Sequence, residues 1–282
     1  MRAGFVAGAV MALMDKGLNN FTSALAVSAS VPTLAYFASE QREEIEKVWR
    51  LELNTPKLVR YKNIPAASLI LSPRRPILDI DYLVYEVFRE KYPINIPKLL
   101  NSRTSCFFAV TEIPKGELKF FSPGQGNIYD IFKAALAVPG CYPDSVTVNG
   151  NKYVDGGTIS PLPVNECSKM RNMRKIVAIL SQPVDCEKDP PSLLERALFW
   201  RYFHRHEWML KMLWKAADCY NENILLLESL AKQSPPRAFI VCPDTMPPAN
   251  FITRDRKKIN KSIDLGYRKV EKIEHELRKF LA

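Results

Sequence analysis

The opening of the chain constrains the fold most tightly. From Ala3 to Ser39 only Asp15 and Lys16 are charged, so this stretch has to be buried in successive layers. Small apolar residues over 3–16, closed by Gly17, predict a helix. Residues 23–27 (Ser-Ala-Leu-Ala-Val) predict a short buried strand. After Ser28 the apolar run 29–40 predicts a second helix, with Pro32 tolerated in its first turn. The order is helix, strand, sharp corner, helix. Further buried strands are expected at 104–110, 175–180 and 237–242, with helices at 128–137, at 192–232 and from about 253 onward. Strands alternating with helices predict an α/β fold with a mainly parallel central sheet covered on both faces. Two local pairings are also written in the sequence. Residues 117–121 pair back on 104–110 across Pro114-Lys115-Gly116, and Asn149-Gly150 joins 146–148 to 152–154 as a tight hairpin that ends at Asp155.

With 282 residues, 47% apolar and 25% charged, the chain is long enough for one large α/β domain. A formal charge of +10 favours an anionic partner, either phospholipid or nucleic acid. The basic run Arg254-Asp255-Arg256-Lys257-Lys258 is not part of any nucleic-acid module, and no nucleic-acid partner is expected. Six cysteines without a C-x-x-C pair predict reduced thiols, with no metal site and no cofactor. No apolar run reaches the roughly 20 residues of a membrane span. A signal-peptide reading of the N-terminus is disfavoured, because Asp15, Lys16, Asn19 and Asn20 separate the apolar run from Ala24-Leu25-Ala26. The expected location is cytoplasmic, with peripheral contact to an anionic membrane.

Two short segments carry chemistry. Ala26-Val27-Ser28-Ala29-Ser30 places a serine at a strand-to-helix corner between small residues, the way α/β hydrolases expose a nucleophile; by itself it is equally a helix cap. Val154-Asp155-Gly156-Gly157 puts a carboxylate at a strand end, and by itself is equally a turn. The text around the aspartate decides between these readings. Residues 134–143 (Ala-Ala-Leu-Ala-Val-Pro-Gly-Cys-Tyr-Pro), the hairpin, and 155–164 (Asp-Gly-Gly-Thr-Ile-Ser-Pro-Leu-Pro-Val) closely resemble the aspartate block of bacterial patatin-like phospholipases. Met1-Arg2-Ala3-Gly4 resembles the end of that family's glycine-rich oxyanion loop. Val110-Thr111-Glu112, Tyr220-Asn221, Val241-Cys242-Pro243 and Leu265-Gly266-Tyr267 resemble later parts of the same family.

The resemblance implies a single patatin-like three-layer domain, with residues 1–185 as the α/β core and 186–282 as a helical extension containing one strand. It implies an acyl-lipid hydrolase in which Ser28 is the nucleophile, Asp155 the general base, and no histidine is used. Ala26, Ala29, Ser30, Gly156 and Gly157 are the flanking motif residues, and Arg2 is the remnant of the oxyanion loop. His204, His206 and His275 all lie in charged helical text and are expected at the surface.

The sequence departs from that pattern in three places. Ala26 and Ser30 stand where the elbow glycines belong, and Ala3 replaces a glycine beside Arg2. The family's first strand and its triple-glycine loop have no counterpart in this polypeptide. Two explanations stand open: a start inside a longer reading frame, or a degenerate member that binds lipid or membrane with impaired catalysis. For the second, Phe199, Trp200, Tyr202, Phe203, Trp208 and Trp214 interleave with Arg196, Arg201, Arg205, Lys211 and Lys215, which suits an interfacial helix. A helix packed on the core with a solvated basic back is the expectation preferred here.

Overall fold

The computed structural model describes residues 1–64, 75–170, 173–205 and 207–282. Helix α1 (Gly4–Asp15) leads to β1 (Ser23–Val27), and a two-residue corner then opens α2 (Ser30–Ala38). The opening order is therefore the one the apolar pattern predicts. Helix α3 (Arg42–Lys47) and the helical segment Tyr82–Lys91 cover the main core, while α4 (Ile96–Leu100) precedes β2 (Ser105–Ile113) and β3 (Glu117–Phe121). Next come α5 (Ile128–Leu136), β4 (Val146–Val148), β5 (Asn151–Asp155), α6 (Val164–Ser168) and β6 (Ile176–Ile179). The rest is α7 (Leu193–Phe203), α8 (Glu207–Ala231), β7 (Ala238–Val241), α9 (Arg256–Lys272) and α10 (Glu274–Leu281).

The protein is a mixed α/β structure. β1 pairs parallel with β2, and β6 with β7, each across a long connection. β3 folds back on β2 and β4 on β5 as antiparallel hairpins, and β5 also pairs antiparallel with β2 across residues 114–150, so the five-stranded sheet is mixed where a mainly parallel one was expected. In the two hairpins the short turn permits only antiparallel pairing, since a parallel pair needs a crossover of a dozen or more residues.

The registers on β2 carry a consequence for the site. Its residues from Phe108 to Glu112 pair with β3. Ser105 to Ala109 pair with β1, and Val110 to Ile113 pair with β5. A strand has two edges, and β3 overlaps both of the other partners, so β1 and β5 share the opposite edge end to end. Because β1 runs parallel to β2 and β5 antiparallel, their C-terminal ends face each other where Val27 sits opposite Ala109 and Asp155 opposite Val110.

The C-terminal part is built into the rest of the chain. β7 pairs with β6, and α9 crosses α1 backbone to backbone. A Cβ on Gly8 would stand 1.9 Å from the Ile263 carbonyl oxygen, and one on Gly266 1.9 Å from that of Phe5. Gly266, marked in the sequence only by resemblance, is thus a packing glycine.

The single helix expected over 192–232 is two helices, bent at His204-Arg205. Phe203 turns inward to join Met209, Leu210 and Leu213 against Val154 and Ile159, while Trp200 and Arg201 stay in solvent. Along α8, Met209, Leu213, Ala217, Tyr220, Ile224 and Leu227 are buried at helical spacing, while Ala216 and Ala231 are half-buried. The side chains of Leu198, Phe199 and Tyr202 lie outside the described ones. Among the described residues no helix is long and apolar enough to cross a membrane.

Candidate active site

Ser28 is the first residue beyond β1, and its backbone has φ +57°. An L-residue held in this left-handed region costs roughly 1 kcal/mol, and a conformation of that kind persists only where the surroundings enforce it. The enforcing elements are β1, locked onto β2 up to Val27, and α2, whose Val31 N–H donates to the Ser28 carbonyl at 2.9 Å. Ala26 is buried beneath the corner, and Ala29 and Ser30 start the helix. Alanine and serine are small enough to close the turn that glycines were expected to close.

Asp155 ends β5 and is 1% exposed. Its backbone is held on both sides: the N–H donates to the Ala137 carbonyl at 3.1 Å, and the carbonyl accepts from the Thr111 hydroxyl at 3.0 Å. Oδ1 accepts from the Gly157 N–H at 2.6 Å. Oδ2 is buried without a hydrogen bond. Gly156 is dictated by close approach, because a Cβ there would lie 2.7 Å from the Ala109 carbonyl carbon and oxygen. The next residue joins the two motifs: the Cβ direction of Gly157 points 3.4 Å from Val27 Cγ1 and 3.9 Å from Ser28 Cβ.

Burial pushes the Asp155 carboxyl from 3.8 up to about 7. The Ser28 hydroxyl and the Gly157 N–H pull it partly back down. The serine is thus near enough to influence the carboxylate, although no hydrogen bond of ordinary length and angle joins it to Oδ2. A carboxyl near 7 beside a serine hydroxyl is a base matched to neutral pH.

Ser28 and Asp155 line one cavity of about 1050 Å³, at the upper end of the roughly 300–1,000 Å³ usual for ligand sites. The cavity runs along every residue of β1 and of β6. β1 pairs only with β2, and β6 only with β7, so among the described residues each has one edge that carries no strand. Apolar side chains such as Trp49, Leu53 and Leu83 extend the walls. Arg2 lines the same cavity and donates from Nη1 to Gln182 Oε1 at 3.0 Å. The structure therefore gathers Ser28, Asp155, both flanking motifs and Arg2. His204 and His275 are exposed, and neither lines this cavity; His206 lies outside the described residues. The sequence reading missed Gln182 and Lys188 as cavity residues. Tyr220-Asn221 was the only signal nearby, and it carried no chemical reading.

No family model matches the chain. An uncharacterised protein of Escherichia coli strain K12, YjjU, is 26% identical over 190 residues, covering 64% of this chain and 49% of that protein. The chain thus spans about half the length of the curated relative it matches.

Proposed function

We propose that this chain is a patatin-like serine hydrolase that cleaves carboxylic esters of phospholipids or other acyl lipids through a Ser28–Asp155 dyad. The observation that carries the reading is the convergence of a strained corner serine and a buried, pKa-raised carboxylate where β1 and β5 meet head to head, inside one large apolar cavity. The Ser28 hydroxyl oxygen adds to the ester carbonyl carbon while its proton passes to Asp155. The carbon–oxygen bond to the alcohol then breaks, and the alcohol leaves with that proton. Water attacks the acyl-serine, Asp155 takes a proton again, and Ser28 recovers it as the fatty acid departs. The Ala29 N–H, next after the serine at the start of α2, takes the part of oxyanion donor in this reading, as the residue after the nucleophile does in α/β hydrolases. The walls along β1 accommodate the acyl chain.

The test is release of a chromogenic short-chain acyl ester by the purified chain and its Ser28→Ala form. The expected result is turnover abolished in the variant while folding is retained; equal rates in the two proteins would sink the proposal.

A second reading, a lipid- or membrane-binding protein with impaired catalysis, is favoured by α7. Among its described side chains only Phe203 is buried; Leu193 is 85% exposed and Trp200 59%. Trp208, 67% exposed, extends the apolar surface onto α8. Arg196, Arg201, Arg205, Lys211 and Lys215 are exposed around it, a charge pattern suited to anionic phospholipid. Leu194, 55% exposed on this surface, also lines the cavity. Both readings thus place lipid at the same mouth.

A further inference from the structure

Of the cationic groups in the wall of the Ser28 cavity, the Met1 ammonium donates to the Phe251 carbonyl at 2.8 Å and Lys175 to that of Phe280 at 2.7 Å, whereas Arg2 and Lys188 stand without a carboxylate partner among the described residues. The other acids of that wall are engaged or turned to solvent. Glu195 accepts from the backbone and hydroxyl of Ser192 at 2.8 and 2.7 Å, and Asp189 is exposed.

The two cations are held by a built framework. Arg2 donates to Gln182 Oε1 at 3.0 Å, and Gln182 Nε2 donates to the Tyr220 hydroxyl at 2.9 Å. The Lys188 ammonium lies over the Tyr220 ring, 4.3 Å from its centre. Gln182 and Tyr220 are each 5% exposed, so neither relaxes away. Asn221 then clamps the Lys188 backbone from both sides, accepting from its N–H at 2.9 Å and donating to its carbonyl at 3.0 Å. Tyr220-Asn221, a pair without a role in the dyad chemistry, is in this way the mount for a lysine.

Burial lowers the Lys188 ammonium to about 8, with the Arg2 charge as the second cause. It remains largely protonated at neutral pH, desolvated, and within electrostatic reach of another cation. Such a pair is costly when empty and is relieved by an anion. We propose that Arg2 and Lys188 form a subsite for the anionic group, a phosphate in the first instance, of the ligand that occupies the Ser28 cavity. The position of that anion relative to a reacting ester rests on the hydrolase reading; the binding itself does not.

The test therefore measures binding without turnover, by calorimetry on the Ser28→Ala protein. The probes are dihexanoyl phosphatidic acid, the neutral dihexanoylglycerol, and inorganic phosphate. The acid is expected to bind about tenfold or more tightly than the neutral lipid, as hydrogen bonds to charged groups would give. Lys188→Gln and Arg2→Gln should each erase most of that difference, and Lys188→Arg should keep it. Inorganic phosphate matching the acid in a Lys188-dependent way supports the subsite and identifies free phosphate as sufficient. Weaker but still Lys188-dependent phosphate binding supports it and identifies a lipid headgroup. Equal affinity for the acid and neutral lipids, or an acid-over-neutral preference unchanged in Lys188→Gln, overturns it. A chain that binds in this manner yet hydrolyses no ester leaves the subsite standing and removes only the hydrolase reading.

Discussion

Ser28 and Asp155 are each held in a state that works against folding, one by its backbone and one by its burial. For Asp155 the consequence is measurable. Its carboxyl is raised to about 7 in the folded chain and returns to the ordinary carboxylate range when unfolded, so the folded state holds the extra proton between those limits. Its contribution to stability is full below the unfolded value and is lost as pH rises through about 7. This is the reverse of a salt-bridged carboxylate. Asp155→Asn, which cannot ionise, is therefore expected to raise the melting temperature at pH 8 by several degrees, and by less at pH 5. Ester hydrolysis should run the opposite way. The native chain's kcat/KM should climb with a midpoint near pH 7 as the base ionises, and Asp155→Asn should lose about 10² to 10⁴ in rate. Scanning calorimetry at the two pH values together with a pH–rate profile checks both limbs. A gain in melting temperature that did not change with pH would refute the buried ionisation. These two residues were legible in the sequence as types in the right local setting. Their meeting was not, because it depends on registers along β2, and no local pattern states that two strands share one edge.

At the scale of elements, the legible part was whatever a local period or turn dictates. The opening helix, strand and helix lie where the apolar runs place them, and the Asn149-Gly150 hairpin ends at Asp155 as its turn chemistry requires. Direction and division were less legible. The long C-terminal helical text carries apolar residues on more than one face. A 3.6-residue period records that a stripe exists without saying which stripe meets the sheet. The structure buries Met209 and Leu213 and leaves Trp208 and Trp214 outward, with Lys211 Nζ 4.9 Å from the centre of the Trp208 ring. Eleven-residue α7 is shorter than the roughly 12–15 residues at which an isolated helix becomes even marginal, so its exposed face gains most from a surface to lie on. The expected outcome is flotation of the chain with vesicles of phosphatidylcholine and phosphatidylglycerol, and little with phosphatidylcholine alone. Trp200→Ser combined with Trp208→Ser should abolish the flotation without lowering the melting temperature. Recovery of the native chain in the lipid-free fraction at every vesicle composition would rule the surface out.

For the molecule as a whole, a large apolar cavity runs along β1 and β6, each of which pairs on one side only among the described residues. Each open edge presents backbone N–H and C=O groups that would otherwise bond to a neighbouring strand. An extended segment laid along such an edge would satisfy those groups. Chain geometry favours entry from one direction: Met1 and Arg2 line the same cavity, and Arg2 is tied to Gln182, three residues past the end of β6. A polypeptide in which an apolar strand ending in three glycines is joined ahead of Met1 would therefore deliver those glycine N–H groups close to the Ser28 corner. One oxyanion donor is typically worth about 10²–10³ in kcat, so the extended protein should hydrolyse a chromogenic ester at least about a hundredfold faster than the chain alone. Its two sheets should also melt together at a higher temperature. The control is Ser28→Ala placed in the extended background. If the extended protein were no faster than that control, the cavity would be a lipid pocket without chemistry, and the membrane-binding reading would hold the field.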